Sequence, residues 1–235
     1  MKKALKSKRN LTKIKPTKAR LELGKAVNEK LKELYPSAEC ALLYEGDPFR
    51  LLVMGRLSAQ CTDKRVNEVS KELFRAFPDC NAMANAPIEE LERLVRPCGL
   101  YRVKAADLKA ASAKLRDEYD GVLPSDMDAL LAFPGVGRKI ANLLRGDLFD
   151  LPAIVTDTHC IRICGRLGFY PENEKRPEKA EAYLTAVIPP EDSADFCHRI
   201  VLFGREVCTA RAPECKSCPL ASLCRHARKN RTPNQ

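Results

Sequence analysis

Eight stretches of this 235-residue chain repeat apolar residues every three or four positions, and alternating β-branched runs are nearly absent. They are "PFRLLVMGRLSAQ", "PIEELERLVRPCG", "VKAADLKAASAKLRDEYDG", "SDMDALLAFPG", "KIANLLRGDLF", "THCIRICGRLG", "EKAEAYLTAVIP" and "DFCHRIVLFGREVC". Pro or Gly closes most of them, as helix stop signals do. The pattern predicts an all-α protein with around ten helices joined by short loops. Ser125, followed by Asp128 after Leu123-Pro124, resembles a cap for the helix reaching Phe133. In "DLFDLPAIVTD" the helical pattern stops and a short extended passage follows, so a domain seam is expected near Leu151.

Four of the eleven cysteines are clustered: "CTARAPECKSCPLASLC" places Cys208, Cys215, Cys218 and Cys224 at C-x6-C-x2-C-x5-C spacing. Four thiolates so close in sequence can close round one metal centre, and soft ligands restrict it to zinc or an iron–sulfur cluster. Structural zinc usually takes two short Cys pairs separated by a longer spacer. One short pair flanked by single cysteines favours a cubane held by a small loop, and zinc remains open. Arg211, Lys216 and Arg225 would then face a polyanion. The other seven, Cys40, Cys61, Cys80, Cys98, Cys160, Cys164 and Cys197, read as reduced small hydrophobes.

Formal charge is +10, and the first twenty residues carry nine Lys or Arg with no Asp or Glu. Such an arm either finds phosphate backbones by charge or simply keeps the terminus solvated. No apolar run approaches the roughly 20 residues that span a bilayer. The basic start does not lead into a signal-peptide core either. A cytoplasmic protein without membrane contact is expected, nucleoid-associated if bacterial.

The segment "AFPGVGRKIANLL" joins two apolar helices through Pro134, Gly135, Val136 and Gly137. Glycine at positions 135 and 137 is expected to permit backbone conformations closed to other residues and to let a bulky ligand approach. The amides opening the next helix then form an anion site suited to a DNA phosphate, with Arg138 beside it. A plain helix corner is the alternative. Lys139 sits in the first helical turn, where the dipole disfavours a cation. A solvated lysine is the ordinary reading. A nucleophilic one would need its pKa, normally about 10.4, brought toward about 7–8. Eighteen residues later, Asp157 in "AIVTDTHCIRI" stands where the extended passage enters a helix. It suits an N-cap, and a carboxylate beside Lys139 could also assist a departing group.

These residues together resemble a known family. "FPGVGRKIAN" is similar to the helix-hairpin-helix signature of the DNA glycosylase superfamily, "VTDTH" to its catalytic aspartate segment, and the cysteine tail to its iron–sulfur loop. "LLVMGRLSAQCTD" and "CGLYRVKA" resemble segments of the endonuclease III family, and the likeness runs from about Pro48 to Cys224. The resemblance implies a bifunctional DNA glycosylase and apurinic/apyrimidinic lyase of base excision repair. It would bind, as a monomer, double-stranded DNA containing damaged pyrimidines or abasic sites.

By the same resemblance Lys139 would attack the anomeric carbon, Asp157 would assist departure of the base, and a Schiff base would permit β-elimination 3′ to the lesion. Gln60 and Leu100 would fill the hole left by the extruded nucleotide. Gly135, Gly137, Arg138 and His159 would contact DNA, and Cys208, Cys215, Cys218 and Cys224 would bind a [4Fe-4S] cluster. The implied organisation is a basic arm over 1–20, a cluster-bearing helical domain from 21–40 and 152–235, and a six-helix domain over 41–151, with DNA at the cleft. Adenine-removing relatives usually carry serine, and thymine-mismatch relatives tyrosine, where this chain has Lys139. That difference points to oxidised or otherwise damaged pyrimidines.

Two features depart from the family pattern. Gly55 and Arg56 interrupt an otherwise apolar helix, so Arg56 would either alter lesion preference or extend to solvent. "TARAPE" is less basic than expected between the first two cluster cysteines, which would weaken its DNA contacts. Two other functions remain: a DNA-binding protein without catalysis, and an adenine-specific glycosylase without strand cutting, against which Lys139 speaks.

Overall fold

The computed structural model describes residue 11 and residues 13–230. Most of the basic arm expected over 1–20, namely residues 1–10 and 12, lies outside the described residues. The helices are α1 (Lys18–Leu34), α2 (Pro48–Leu57), α3 (Asp63–Ala76), α4 (Cys80–Asn85), α5 (Ile88–Val95), α6 (Tyr101–Tyr119), α7 (Met127–Leu131), α8 (Arg138–Phe149), α9 (Thr158–Leu167), α10 (Pro177–Thr185), α11 (Ser193–Glu206) and α12 (Arg225–Asn230). Two 3-10 turns, Arg96–Cys98 and Pro190–Asp192, complete the set, and no strand occurs among the described residues. The protein is all-α.

Sequence-local chemistry starts most of these helices. Asp47, Thr62, Asp79 and Asp157 each turn a side-chain oxygen onto a first-turn amide, satisfying donors that the helix cannot. Before α7 the cap is Asp126, which accepts from Ala129 N at 2.9 Å. The expected Ser125 arrangement is thereby corrected: the carboxylate one residue later reaches the third amide of the helix.

The chain divides into two compact units, one from Cys40 to Phe149 and one formed by the chain up to Glu39 and from Asp150 onward. In the contiguous unit, α4 and α5 pack on α6, while α2 packs on α3, α6 and α8. The unit holds seven α-helices where six were expected, α4 and α7 being only six and five residues long. Leu51, Val53, Leu57, Leu91, Leu108 and Leu144 are almost fully buried within it. In the discontinuous unit α11 packs on α1 and α9, and α9 on α12. Its core gathers Val27, Leu31, Ile163, Phe169, Phe196 and Phe203.

None of the eleven cysteines is in a disulfide. Cys160 is held well above the usual thiol range by its hydrogen bond with Cys164 and by burial, and Cys197 likewise by Cys160 and burial. Both behave as inert core residues. Among the described residues no helix is long and apolar enough to cross a membrane.

Candidate active site

The hairpin between α7 and α8 is built around one left-handed residue. Gly135 has φ +73°, and a Cβ there would lie 2.5 Å from Arg56 Nε and 2.8 Å from Asp107 Oδ2. Gly137 differs from expectation. It is not among the positive-φ residues, and a Cβ on it would meet nothing within 4 Å. Backbone conformation therefore requires glycine at 135 only, and the open space at 137 suits the close approach of another molecule. Val136 N donates to Phe133 O at 3.1 Å, closing the turn. The first i→i−4 bond of α8 runs from Ala141 N to Gly137 O at 3.0 Å, so the first-turn amides lie ahead of the helical ladder.

Lys139 is exposed in that first turn and makes no ion pair among the described residues. Arg138 is half-buried. The apolar face behind them comprises Ile140, Ala141, Leu143 and Leu144. Gly55 allows α2 to approach it, since a Cβ there would stand 3.2 Å from Ile140 Cγ2.

Arg56 does not extend to solvent. Its side chain is 13% exposed, and Nε and Nη2 both lie 2.7 Å from Asp107 Oδ2. The pair lies against Gly135 and braces the hairpin from inside the unit. Sequence reading missed Asp107 as its partner.

Two further predicted residues share an unusual backbone state. Gln60 (φ 54°) and Leu100 (φ 50°) both adopt left-handed conformations that side chains with a Cβ rarely take, and both are exposed. Leu100, 55% exposed, follows the Arg96–Cys98 turn and opens α6. Strain of this kind costs on the order of 1–3 kcal/mol and persists only where surrounding structure imposes it.

Asp157 belongs to the discontinuous unit, whereas Lys139 belongs to the contiguous one. The extended passage before Asp157 is tied to α11: Ala153 N donates to Ser193 Oγ at 2.9 Å and Val155 N to Cys197 Sγ at 3.2 Å. Asp157 caps α9, with Oδ1 accepting from Cys160 N at 2.7 Å. The half-buried carboxylate is therefore fixed by the helix it starts. His159 packs on α11, where a Cβ on Gly204 would come within 2.4 Å of its Nδ1, and Arg162 Nη2 lies 3.2 Å from that nitrogen.

The cysteine loop hangs from α9. Arg162 Nη2 donates to Cys208 O at 2.9 Å, while Arg166 donates to Thr209 O at 2.7 Å and Ala210 O at 2.8 Å. Burial lowers the pKa of Arg162 from its usual value. Cys208, Cys215, Cys218 and Cys224 line one pocket, walled also by Ile163, Phe203 and Leu220. Among the described residues no three His, Cys, Asp or Glu side chains are grouped to hold a single metal ion. Four soft donors round an apolar volume fit a polynuclear iron–sulfur group.

Residues 53–190 match the family model of the HhH-GPD superfamily of base excision DNA repair proteins. Endonuclease III of Bacillus subtilis is 41% identical over 86% of this chain and 91% of its own length. That of Synechocystis is 44% identical over 83% and 88%. A non-covalent endonuclease III–DNA complex and a trapped endonuclease III–DNA covalent intermediate both superpose at a TM-score of 0.84 and 40% identity, covering 89% of this chain and 97% of theirs. With this likeness extending along most of its length, the chain belongs to the endonuclease III family, DNA glycosylases with AP lyase activity that act in base excision repair.

Proposed function

We propose that the chain excises oxidised pyrimidines from duplex DNA and cuts the strand, with Lys139 as nucleophile and Asp157 assisting the leaving base. The observation that carries this reading is an exposed lysine, without an ion pair among the described residues, one residue into the helix that follows an open glycine turn. A covalent intermediate trapped on a relative 40% identical supports a covalent route.

In that route the Lys139 amine forms a bond to C1′ as the N-glycosidic bond breaks, and the base leaves as it gains a proton. The sugar ring opens to an imine. Loss of a 2′ proton then expels the 3′ phosphate, and hydrolysis of the imine frees the lysine. Asp157 stabilises the cationic sugar or moves the proton. Extrusion of the nucleotide leaves a hole in the stack, which Gln60 and Leu100 occupy. Gly135, Gly137 and Arg138 take a phosphate at the α8 terminus, and His159 adds a contact.

Cys208, Cys215, Cys218 and Cys224 would hold a [4Fe-4S] group, which would clamp the loop, and no step of this route calls on its redox chemistry. The enzyme acts as a monomer in the cytoplasm, or on the nucleoid in a bacterium. Borohydride reduction on an abasic duplex tests the reading. The wild type is captured covalently, and Lys139→Gln loses capture and strand cutting by on the order of 10³-fold or more while still binding the duplex. Undiminished capture of the Gln variant would remove Lys139 from its role.

A further inference from the structure

Lys104 is a charged residue in the core of the contiguous unit. Its relative exposure is 0%, and its neighbours on the same α6 face, Leu108, Ala111 and Leu115, are buried apolar residues. Burial lowers its pKa from the usual lysine value. No carboxylate accounts for its position, because its Nζ donates to two main-chain carbonyls, Leu57 O at 2.8 Å and Cys98 O at 2.8 Å. Leu57 ends α2 and Cys98 ends the 3-10 turn, so both acceptors are carbonyls at the negative end of a helical segment. The ammonium's several donors can serve both at once.

These carbonyls stand just ahead of the two strained, exposed residues. Gln60 follows Leu57 by three positions and Leu100 follows Cys98 by two. The main-chain amide of Lys104 also donates to Leu100 O at 3.0 Å. One residue thus holds the base of both turns, by its side chain on one and by side chain and backbone on the other. Gly99 (φ 69°) takes one positive φ of the second turn without a Cβ, but Gln60 and Leu100 carry a Cβ at their own left-handed positions, so those two conformations must be imposed from beneath.

We infer that Lys104 is a positioning residue that fixes the spacing of Gln60 and Leu100, and so sets how well the pair replaces an extruded nucleotide. This rests on the role proposed above for Gln60 and Leu100. Lys104 itself touches neither DNA nor the reacting atoms. An apolar side chain of the same length would fill the site yet leave two carbonyls without a donor.

The test is a mutant cycle read as the affinity ratio between a duplex containing a tetrahydrofuran abasic analogue and the same duplex undamaged. Lys104→Met lowers that ratio by about tenfold in the otherwise wild-type chain. In a Gln60→Ala/Leu100→Ala background it lowers the ratio less than about twofold, because the parts it positions are gone. Lys104→Gln, which keeps two amide donors on a shorter stem, gives a smaller loss and serves where the Met variant folds poorly. Equal losses in both backgrounds, no loss in the first, or failure of both variants to fold would make Lys104 a plain structural residue and overturn the inference. If Gln60→Ala/Leu100→Ala alone leaves the ratio unchanged, the role of those two residues fails instead.

Discussion

The two units place their candidate site residues by different means. The contiguous unit presents Lys139, Gln60 and Leu100 at exposed turns, and apolar helix packing with a few buried polar braces holds those turns. In the discontinuous unit, Asp157 is a helix cap, and the cysteine loop is carried by arginines reaching main-chain oxygens. The contrast follows from local sequence. The 40–149 segment has enough amphipathic helix to build its own core, whereas Thr209 to Glu214 offers almost no apolar surface to bury. Where packing cannot position a segment, charge-assisted hydrogen bonds to the backbone do so.

Asp157 provides the sharpest way to break this contrast, because capping and catalysis can be separated by substitution. Asn caps a helix about as well as Asp. Asp157→Asn is expected to lose roughly 10²–10⁴-fold in single-turnover base excision, with its melting temperature almost unchanged. Asp157→Ala should add about 1 kcal/mol of destabilisation in denaturant titration. An Asn variant with full excision would reduce Asp157 to a cap.

Arg166→Ala addresses the loop. Removing its bonds to Thr209 O and Ala210 O is expected to destabilise the discontinuous unit by roughly 2–3 kcal/mol. Limited proteolysis between Cys208 and Cys224 should accelerate, while cleavage within α2–α8 stays as slow as before. Equal acceleration in both units would erase the distinction.

The hairpin glycines offer two smaller effects of opposite kind. Gly135→Ala must accommodate a left-handed φ and displace the Arg56–Asp107 pair, at a cost of about 1–2 kcal/mol in thermal melting. Gly137→Ala is expected to change stability by less than about 0.5 kcal/mol. It should nevertheless weaken duplex binding several-fold, since its Cβ would occupy the space left for a ligand. If Gly137→Ala binds DNA like the wild type, no close approach occurs there.

Much of the candidate site was legible in the sequence because it is local. The hairpin, the lysine after it, the capping aspartate and the cysteine spacing all occur within runs of fewer than twenty residues. Arg56 was visible as an anomaly in an apolar helix, but its partner was not. Lys104 carried a signal that was overlooked: it occupies the register of the buried positions 108, 111 and 115 on α6.

The amino-acid sequence alone determined the helices, most of their caps, the family and the order of its motifs, since propensity, periodicity and spacing act between near neighbours. Tertiary structure decided which charges are buried and what they hold: Lys104 reaches a carbonyl 47 residues away, and Arg56 a carboxylate 51 residues away. It also decided that position 135, and not 137, takes the left-handed backbone. Periodicity identifies the face of a helix that turns inward, but a hydrogen bond depends on which distant chain segment meets that face, and only the folded core fixes this.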